Sequence, residues 1–229
     1  MRTYRLQIRL IQFSLFLSVL IVAAGFFGLW GNRMSEQAIT QPQTENTSAE
    51  KLENTKIVSL GDSYTYGYPG KPEKSWPEIL GRTLNITVVN KGRISQTSLD
   101  LLSRFEADVL SEKPGRVIIF AGNGDALREE VPLDTFKKQI TAMVDKAEAN
   151  HIVPVLALPL PYPSVQNVIK ELREWELSYA QEKKLTVLDF ASVLMDPENK
   201  YLKDLSEDGK YPTEKGYQAM GDYAARVLK

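Results

Sequence analysis

Cysteine is missing from the 229 residues of this chain. Its absence excludes disulfide bonds, thiolate metal ligands and a cysteine nucleophile. It leaves the redox compartment open, because a protein without cysteine can work on either side of a membrane.

Histidine is almost missing as well, since His151 is the only one in the sequence. Histidine is the general base that proteins use most often, because its pKa lies near neutrality. The acidic residues show no helical pairing with this histidine, so no metal ion and no cofactor is expected.

An excess of charge of either sign is also lacking. The 28 basic and 29 acidic residues leave a formal net charge of −1. Without a basic stripe, nucleic acid is not expected as a partner. Hydrophobic residues make up 43% of the chain, which suffices for one α/β domain with a sizeable core and a short appendage.

A long apolar run is present near the N-terminus. Residues 10–30, "LIQFSLFLSVLIVAAGFFGLW", carry no charge and follow three arginines. A membrane-spanning helix needs about 20 apolar residues, whereas the apolar part of a cleaved signal peptide has about 7–15. Val22-Ala23-Ala24 offers a cleavage site, but the apolar run continues to Trp30.

We therefore predict a single-pass protein of the cell membrane with its C-terminal domain outside the cytoplasm, the basic flank remaining inside. The alternative is secretion after cleavage of a signal peptide. The predicted organisation is a basic cytoplasmic segment (1–9), a transmembrane signal anchor (10–31), a flexible stalk rich in polar residues (32–55) and a folded domain (56–229).

Beyond the stalk, short apolar segments alternate with longer amphipathic ones. The predicted strands are 56–60, 86–90, 116–121, 152–159 and 185–190, and the predicted helices are 75–84, about 98–111, 133–150, about 164–183 and about 213–228. Alternation of this kind is typical of an α/β fold with a parallel sheet covered on both faces. Ligands of such sheets bind at the carboxyl ends of the strands.

Four loops at that edge carry candidate functional groups. Gly61-Asp62-Ser63 follows the first strand, where Ser63 is either a nucleophile or part of an ordinary helix cap. The loop 90–98 follows the second strand. Asn123 can donate to a developing oxyanion or can belong to a plain glycine-rich turn. The loop 207–217 precedes the last helix, which Thr213 can cap.

Taken together, the loops resemble the SGNH (GDSL) hydrolases from residue 56 onward. The family pattern contains a GDS-L-T-x-G-Y-G block, a W-P helix start, a V-V-N strand end, a G-x-N-D block and a D-G-x-H-P-x-x-x-G-Y block. The corresponding stretches here are "GDSYTYGYPG", "SWPEIL", "VVNKGRISQTS", "AGNGDAL" and "DGKYPTEKGY". The resemblance implies a three-layer α/β/α fold with a flavodoxin-like parallel sheet and hydrolysis of acyl esters or thioesters.

The resemblance also assigns site residues. It places Ser63 as nucleophile, Asn123 as an oxyanion donor and Asp208 as the residue that orients the catalytic histidine. Ser95 stands where the family has a glycine whose backbone N–H serves the oxyanion. Tyr211 stands in place of the catalytic histidine.

The third block departs from the family as well. Ala121 replaces its first glycine, and Gly124 replaces the aspartate that follows the asparagine, with Asp125 one residue later. These changes put the geometry of that loop in question.

No other residue is an obvious base for Ser63. Tyrosine has a pKa of about 10 and stays protonated at neutral pH. His151 is expected in a surface loop at the opposite edge of the sheet, roughly 20 Å away. A carboxylate such as Asp208, with an ordinary pKa of about 4, is a poor base for a hydroxyl.

Three interpretations remain open. The favoured one is an impaired or non-catalytic module that binds an acylated lipid, a glycan or a small-molecule ester, with Tyr64, Tyr66, Tyr68 and Trp76 as candidate aromatic contacts. The alternative is an active serine acyl-ester hydrolase that uses Ser63 with an atypical base. A purely structural spacer is the third.

Overall fold

The computed structural model describes residues 54–128 and 131–229. The sheet within these residues has the strands Ile57–Gly61 (β1), Val88–Gly92 (β2), Arg116–Phe120 (β3), Val153–Ala157 (β4) and Thr186–Leu188 (β5). Their spatial order is β2-β1-β3-β4-β5, and each neighbouring pair is parallel. The predicted parallel α/β sheet is confirmed.

Helices lie between successive strands, as parallel pairing requires, and two more follow β5. They are Ser63–Tyr66 (α1), Trp76–Leu84 (α2), Ser98–Ser103 (α3), Phe105–Asp108 (α4), Asn123–Arg128 (α5), Leu133–Ala149 (α6), Gln166–Lys183 (α7), Ala191–Leu194 (α8) and Glu214–Leu228 (α9). Short 3₁₀ turns cover Pro72–Lys74 and Leu110–Glu112.

Two groups of helices flank the sheet. Helix α9 packs on α2 and α8, whereas α6 packs on α3 and α7. β1 is buried along its whole length and β3 over four of its five residues, because both lie inside the sheet beneath these helices. This is why the central strands read as continuous apolar runs rather than as alternating ones.

One predicted helix is wrong in its extent. The segment 98–111 is broken at Arg104, whose backbone leaves the helical region with φ −106° and ψ 6°. Leu101, Phe105 and Val109 are nevertheless all fully buried. Their i, i+4 spacing continues across the break, and for that reason the sequence pattern indicated a single helix.

Smaller differences concern the ends of elements. β5 covers Thr186–Leu188 rather than 185–190. Ser75 does precede α2, but its hydroxyl donates to the carbonyl of Pro72 at 2.6 Å and does not cap the helix. Thr213 caps α9 as predicted, since its Oγ1 accepts from the N–H of Gly216 at 3.3 Å.

The predicted cytoplasmic segment and signal anchor, and all but the end of the predicted stalk, lie outside the described residues. Among the helices that the structure describes, none is both long enough and apolar enough to cross a membrane.

Candidate active site

Ser63 lies at the carboxyl end of β1, as the first residue of α1. Gly61 allows this tight turn, because a Cβ at that position would lie 2.1 Å from the Thr65 Oγ1 atom. Asp62 caps the short helix, its Oδ1 accepting from the N–H of Tyr64 at 3.0 Å. The strand-to-helix turn therefore holds the Ser63 side chain, which is 5% exposed, at the edge where ligands of parallel sheets bind.

Ser95 lies directly against this serine. The backbone N–H of Ser95 donates to the Ser63 Oγ atom at 3.0 Å. Ser95 has φ +60°, a left-handed conformation that favours glycine and costs other residues about 1–2 kcal/mol. Ser95 therefore adopts a backbone conformation that a glycine would adopt at lower cost, and its N–H points at Ser63.

Asn123, the first residue of α5, is buried and anchored on both sides of its amide group. Its Nδ2 donates to the carbonyl of Leu160, and its Oδ1 accepts from the Leu160 N–H, both at 2.9 Å. An amide NH₂ carries two hydrogens, so one remains for an oxyanion. The two bonds to Leu160 fix the orientation of this side chain, and the second amide hydrogen has no partner among the described residues.

Asp208 lies in the loop before α9. Its Oδ1 accepts from the N–H of Lys210 and of Tyr211, each at 2.8 Å, and from the Ser206 hydroxyl at 3.2 Å. Burial raises the pKa of this carboxyl, but these hydrogen bonds outweigh burial and hold the pKa below its usual value. No hydrogen bond from residues 54–128 or 131–229 reaches Oδ2, the oxygen that is left to orient a base.

Tyr211 is half-buried among other aromatic rings. Its ring centroid lies 5.2 Å from that of Tyr64 and 4.7 Å from that of Tyr68, the latter edge-on. The Tyr211 hydroxyl forms no hydrogen bond with any described residue. Asp208 therefore holds the backbone of Tyr211 but not its phenol.

A group of tyrosines around Lys210 was not found from the sequence. The hydroxyls of Tyr64 and Tyr201 both donate to the Lys210 carbonyl, at 3.0 and 2.8 Å. The Lys210 ammonium lies over the rings of Tyr211 and Tyr162, 4.9 and 5.5 Å from their centroids. Tyr162 and Tyr201 lie outside the five blocks, and no motif in the sequence connects them with the site.

The predicted aromatic contacts separate into two kinds. Trp76 is fully buried and packs against Phe120 and Phe190, so it belongs to the core. Tyr64 is also buried, whereas Tyr68 is 37% exposed beside Tyr211. Tyr211 also lines a cavity of about 300 Å³, together with Pro69, Asp208, Tyr217 and others.

His151 lies at the amino edge of the sheet, as predicted. It is exposed and falls between the end of α6 and the start of β4, near Asn54 and Gly115. It is therefore remote from the carboxyl edge that carries Ser63. Among the residues that the structure describes, no three acidic or histidine side chains converge as a metal site would need.

The chain belongs to the GDSL-like lipase/acylhydrolase family, whose model matches residues 59–219. The resemblance drawn from the five sequence blocks is thereby confirmed. The order of the sheet and the position of Ser63 at its carboxyl edge are those of an esterase or acylhydrolase scaffold.

Known proteins resemble this chain over different shares of its length. A structure from Desulfitobacterium hafniense DCB-2, assigned to the lipolytic G-D-S-L family, is 65% identical, with a TM-score of 0.75, and the match covers 76% of this chain and all of that one. An arylesterase of Vibrio mimicus is 25% identical over 79% of this chain and 92% of its own. The chain is also 29% identical to an uncharacterised lipoprotein of Bacillus subtilis, but this match covers only 46% of the chain and 48% of the lipoprotein.

Proposed function

We propose that this protein binds an acyl ester at Ser63 and hydrolyses it slowly or not at all. One observation carries the proposal. The Ser63 hydroxyl accepts a hydrogen bond from Ser95, but none of the described residues offers it an imidazole or another hydrogen-bonded base. Tyr211 stands where the family has histidine, and a neutral phenol is a poor acceptor for the proton of a serine.

The ligand side of the site is better preserved than the proton acceptor. The Ser95 N–H and the free hydrogen of the Asn123 amide are the kind of donors that stabilise a carbonyl oxygen or an oxyanion. Such donors recognise an ester whether or not it is cleaved. The ligand classes that we propose are an acylated lipid, an acylated glycan and a small-molecule ester, in keeping with the arylesterase relative.

We further propose that the site operates outside the cytoplasm. The apolar run 10–31, with its arginine-rich flank, supports a membrane anchor, and the polar stretch 32–55 supports a spacer between anchor and domain. An anchored domain of this kind would meet acylated components of the cell envelope.

The Tyr211→His variant tests the function directly. The free Oδ2 of Asp208 is available for an imidazole N–H, so we expect hydrolysis of short-chain aryl esters to rise about 10²–10⁴-fold, the usual contribution of a general base. Adding Ser63→Ala should abolish the gain. Tyr211→Phe is the matched control, because it removes the hydroxyl without adding a base and should leave the rate at the wild-type level.

The retained positions of Ser63, Asn123 and Asp208 favour a second function, an acyl-ester hydrolase with an atypical base. Brisk turnover by the wild-type chain, lost in Ser63→Ala, would establish this second function and overturn the first. Covalent labelling of Ser63 by a fluorophosphonate in the wild type reports serine reactivity separately from turnover.

A further inference from the structure

The turn from β3 into α5 has an unusual residue order. Asn123 is followed by Gly124 and then by Asp125, whereas the family pattern has an aspartate immediately after the asparagine. A Cβ at residue 124 would lie 2.0 Å from the carbonyl oxygen of Gln96. Only glycine fits here, because the loop after β2 packs directly on the backbone of the turn.

Asp125 compensates for this by reaching the same loop from one residue further on. Its carboxylate accepts from the Ser98 N–H, with the two oxygens at 3.1 and 3.0 Å, and from the Ser98 hydroxyl at 2.5 Å. Its Oδ2 also accepts from the Gly122 N–H at 3.2 Å. The side chain is 3% exposed, so water does not compete for these donors.

These bonds connect the two segments that carry the candidate oxyanion donors. Gly122 directly precedes Asn123, and Ser98 lies three residues after Ser95. A third contact comes from the end of α5, where an Arg128 guanidinium nitrogen donates to the Ser95 carbonyl at 3.0 Å. Contacts from α5 thus hold Ser95 in a left-handed backbone conformation, which a serine does not favour by itself.

We infer that Asp125 is a positioning residue for the Ser63 site. It fixes the segment 95–98 against the segment 122–123, so that the Ser95 N–H is aimed at the Ser63 Oγ atom. The inference rests on the proposed role of Ser63 as the ligand-binding hydroxyl. It adds a residue whose hydrogen bonds go to Ser98 and Gly122 rather than to Ser63, and which acts through two backbone segments.

Asp125→Ala is the sharpest variant, because it removes both acceptor oxygens. Asp125→Asn is the conservative variant. Its NH₂ can take the Oδ1 position, against the Ser98 hydroxyl oxygen, while its remaining oxygen still accepts from the Ser98 and Gly122 N–H groups. Glu176→Gln is the matched control, because Glu176 is also a fully buried carboxyl yet has no hydrogen-bond partner among the described residues.

Residue-resolved hydrogen exchange on the full chain is the primary measurement. We expect the Ser95 and Ser98 amides to exchange about tenfold faster or more in Asp125→Ala, since a lost buried hydrogen bond changes an equilibrium by about that factor. In Asp125→Asn both amides should stay close to the wild type, because the acceptor oxygen is kept. Strand amides such as that of Ile118 should change no more than in Glu176→Gln. Fluorophosphonate labelling of Ser63 should slow by a similar factor in Asp125→Ala.

Two results would overturn the inference. Faster exchange at Ser98 with Ser95 unchanged would make Asp125 a local helix cap only. An equal rise at Ser95 and throughout the sheet would make its role one of general stability.

The failure of the proposed function is recognised separately, in the Tyr211→His variant with and without Asp125→Ala. If Tyr211→His gains no hydrolysis, the proposed function fails, but the exchange of Ser95 still tests Asp125. If Tyr211→His is active and Asp125→Ala lowers neither its kcat nor the protection of Ser95, the positioning role alone fails.

Discussion

Asp62 and Asp208 experience opposite environments at the level of single residues. Asp62 is 2% exposed, and its burial raises its pKa to about 7. The hydrogen bond from the Tyr64 N–H lowers this pKa, whereas the negative charge of the nearby Asp125 raises it further. Asp208 is exposed and holds a pKa below its usual value through the hydrogen bonds described above. At pH 6 the residue before Ser63 is therefore mainly protonated, while the residue that would orient a base is ionised.

The raised pKa of Asp62 predicts how the free energy of unfolding depends on pH. Between about pH 4 and pH 7 the folded state keeps a proton on Asp62 that the unfolded state has released, because the ordinary pKa is 3.8 and the folded one about 7. Folding then binds protons, so the free energy of unfolding falls as pH rises through this window, by up to about 1.4 kcal/mol per pH unit for one group.

The variant Asp62→Asn should flatten that decline, since the amide does not titrate. Urea unfolding of both proteins at pH 4.5, 5.5, 6.5 and 7.5 measures it. Asp134→Asn, at an exposed position of α6, is the control and should follow the wild type. Parallel curves for Asp62→Asn and wild type would show that Asp62 does not have the raised pKa.

At the level of elements, the break between α3 and α4 supports the floor of the site. The Arg104 guanidinium donates to the carbonyls of Gly61 and Lys91, each at 2.9 Å, and forms a buried ion pair with Asp108 at 2.5 Å. Arg93, from the loop that carries Ser95, also pairs with Asp108 at 3.0 Å. The ends of β1 and β2, between which Ser63 and Ser95 meet, are thus connected through one side chain.

Removal of Asp108 should therefore be costly. Asp108→Ala leaves Arg104 buried without its partner, and we expect the free energy of unfolding to fall by about 3–5 kcal/mol. Glu106→Ala is the matched control in the same helix, because its ion pair with Lys146 is exposed and contributes much less. Equal loss of stability in the two variants, measured by urea unfolding, would contradict a special role for the buried pair.

At the level of the whole molecule, the prediction concerns the N-terminal segment. The match with the structure from Desulfitobacterium hafniense covers 76% of this chain and all of that one. In the arrangement that we propose, residues 10–31 alone attach the protein to a membrane and residues 32–55 act as spacer.

Fractionation of cells tests this arrangement. We expect the full chain to stay with membranes after a wash in alkaline carbonate, and a chain lacking residues 2–31 to appear in the soluble fraction, because about 20 apolar residues suffice to span a bilayer. Deletion of residues 36–50 is the control and should leave the protein in the membrane. If the full chain instead yields a soluble product whose N-terminus lies just after Ala24, the segment is a cleaved signal peptide.

Much of the fold was predictable because it rests on local patterns. Apolar runs such as "RVIIF" and amphipathic helices such as α6 have clear periods, and the five blocks identified the family. The break at Arg104 was not predictable, since the buried spacing of Leu101, Phe105 and Val109 continues through it. The grouping of tyrosines around Lys210 was not predictable either, because Tyr64 and Tyr162 reach it from distant parts of the chain and Tyr201 lies outside the five blocks.

The sequence by itself determined which candidate side chains the site has: a serine after β1, an asparagine, an aspartate, and a tyrosine at the position where the family resemblance leads us to expect a histidine. Only the tertiary structure decided how they meet. The left-handed Ser95, the carboxylate of Asp125 across two loops and the raised pKa of Asp62 all depend on atoms brought together by the sheet and its helices. The physical reason is that backbone conformation, hydrogen bonding and solvation at a site are properties of its surroundings, and these surroundings exist only after folding.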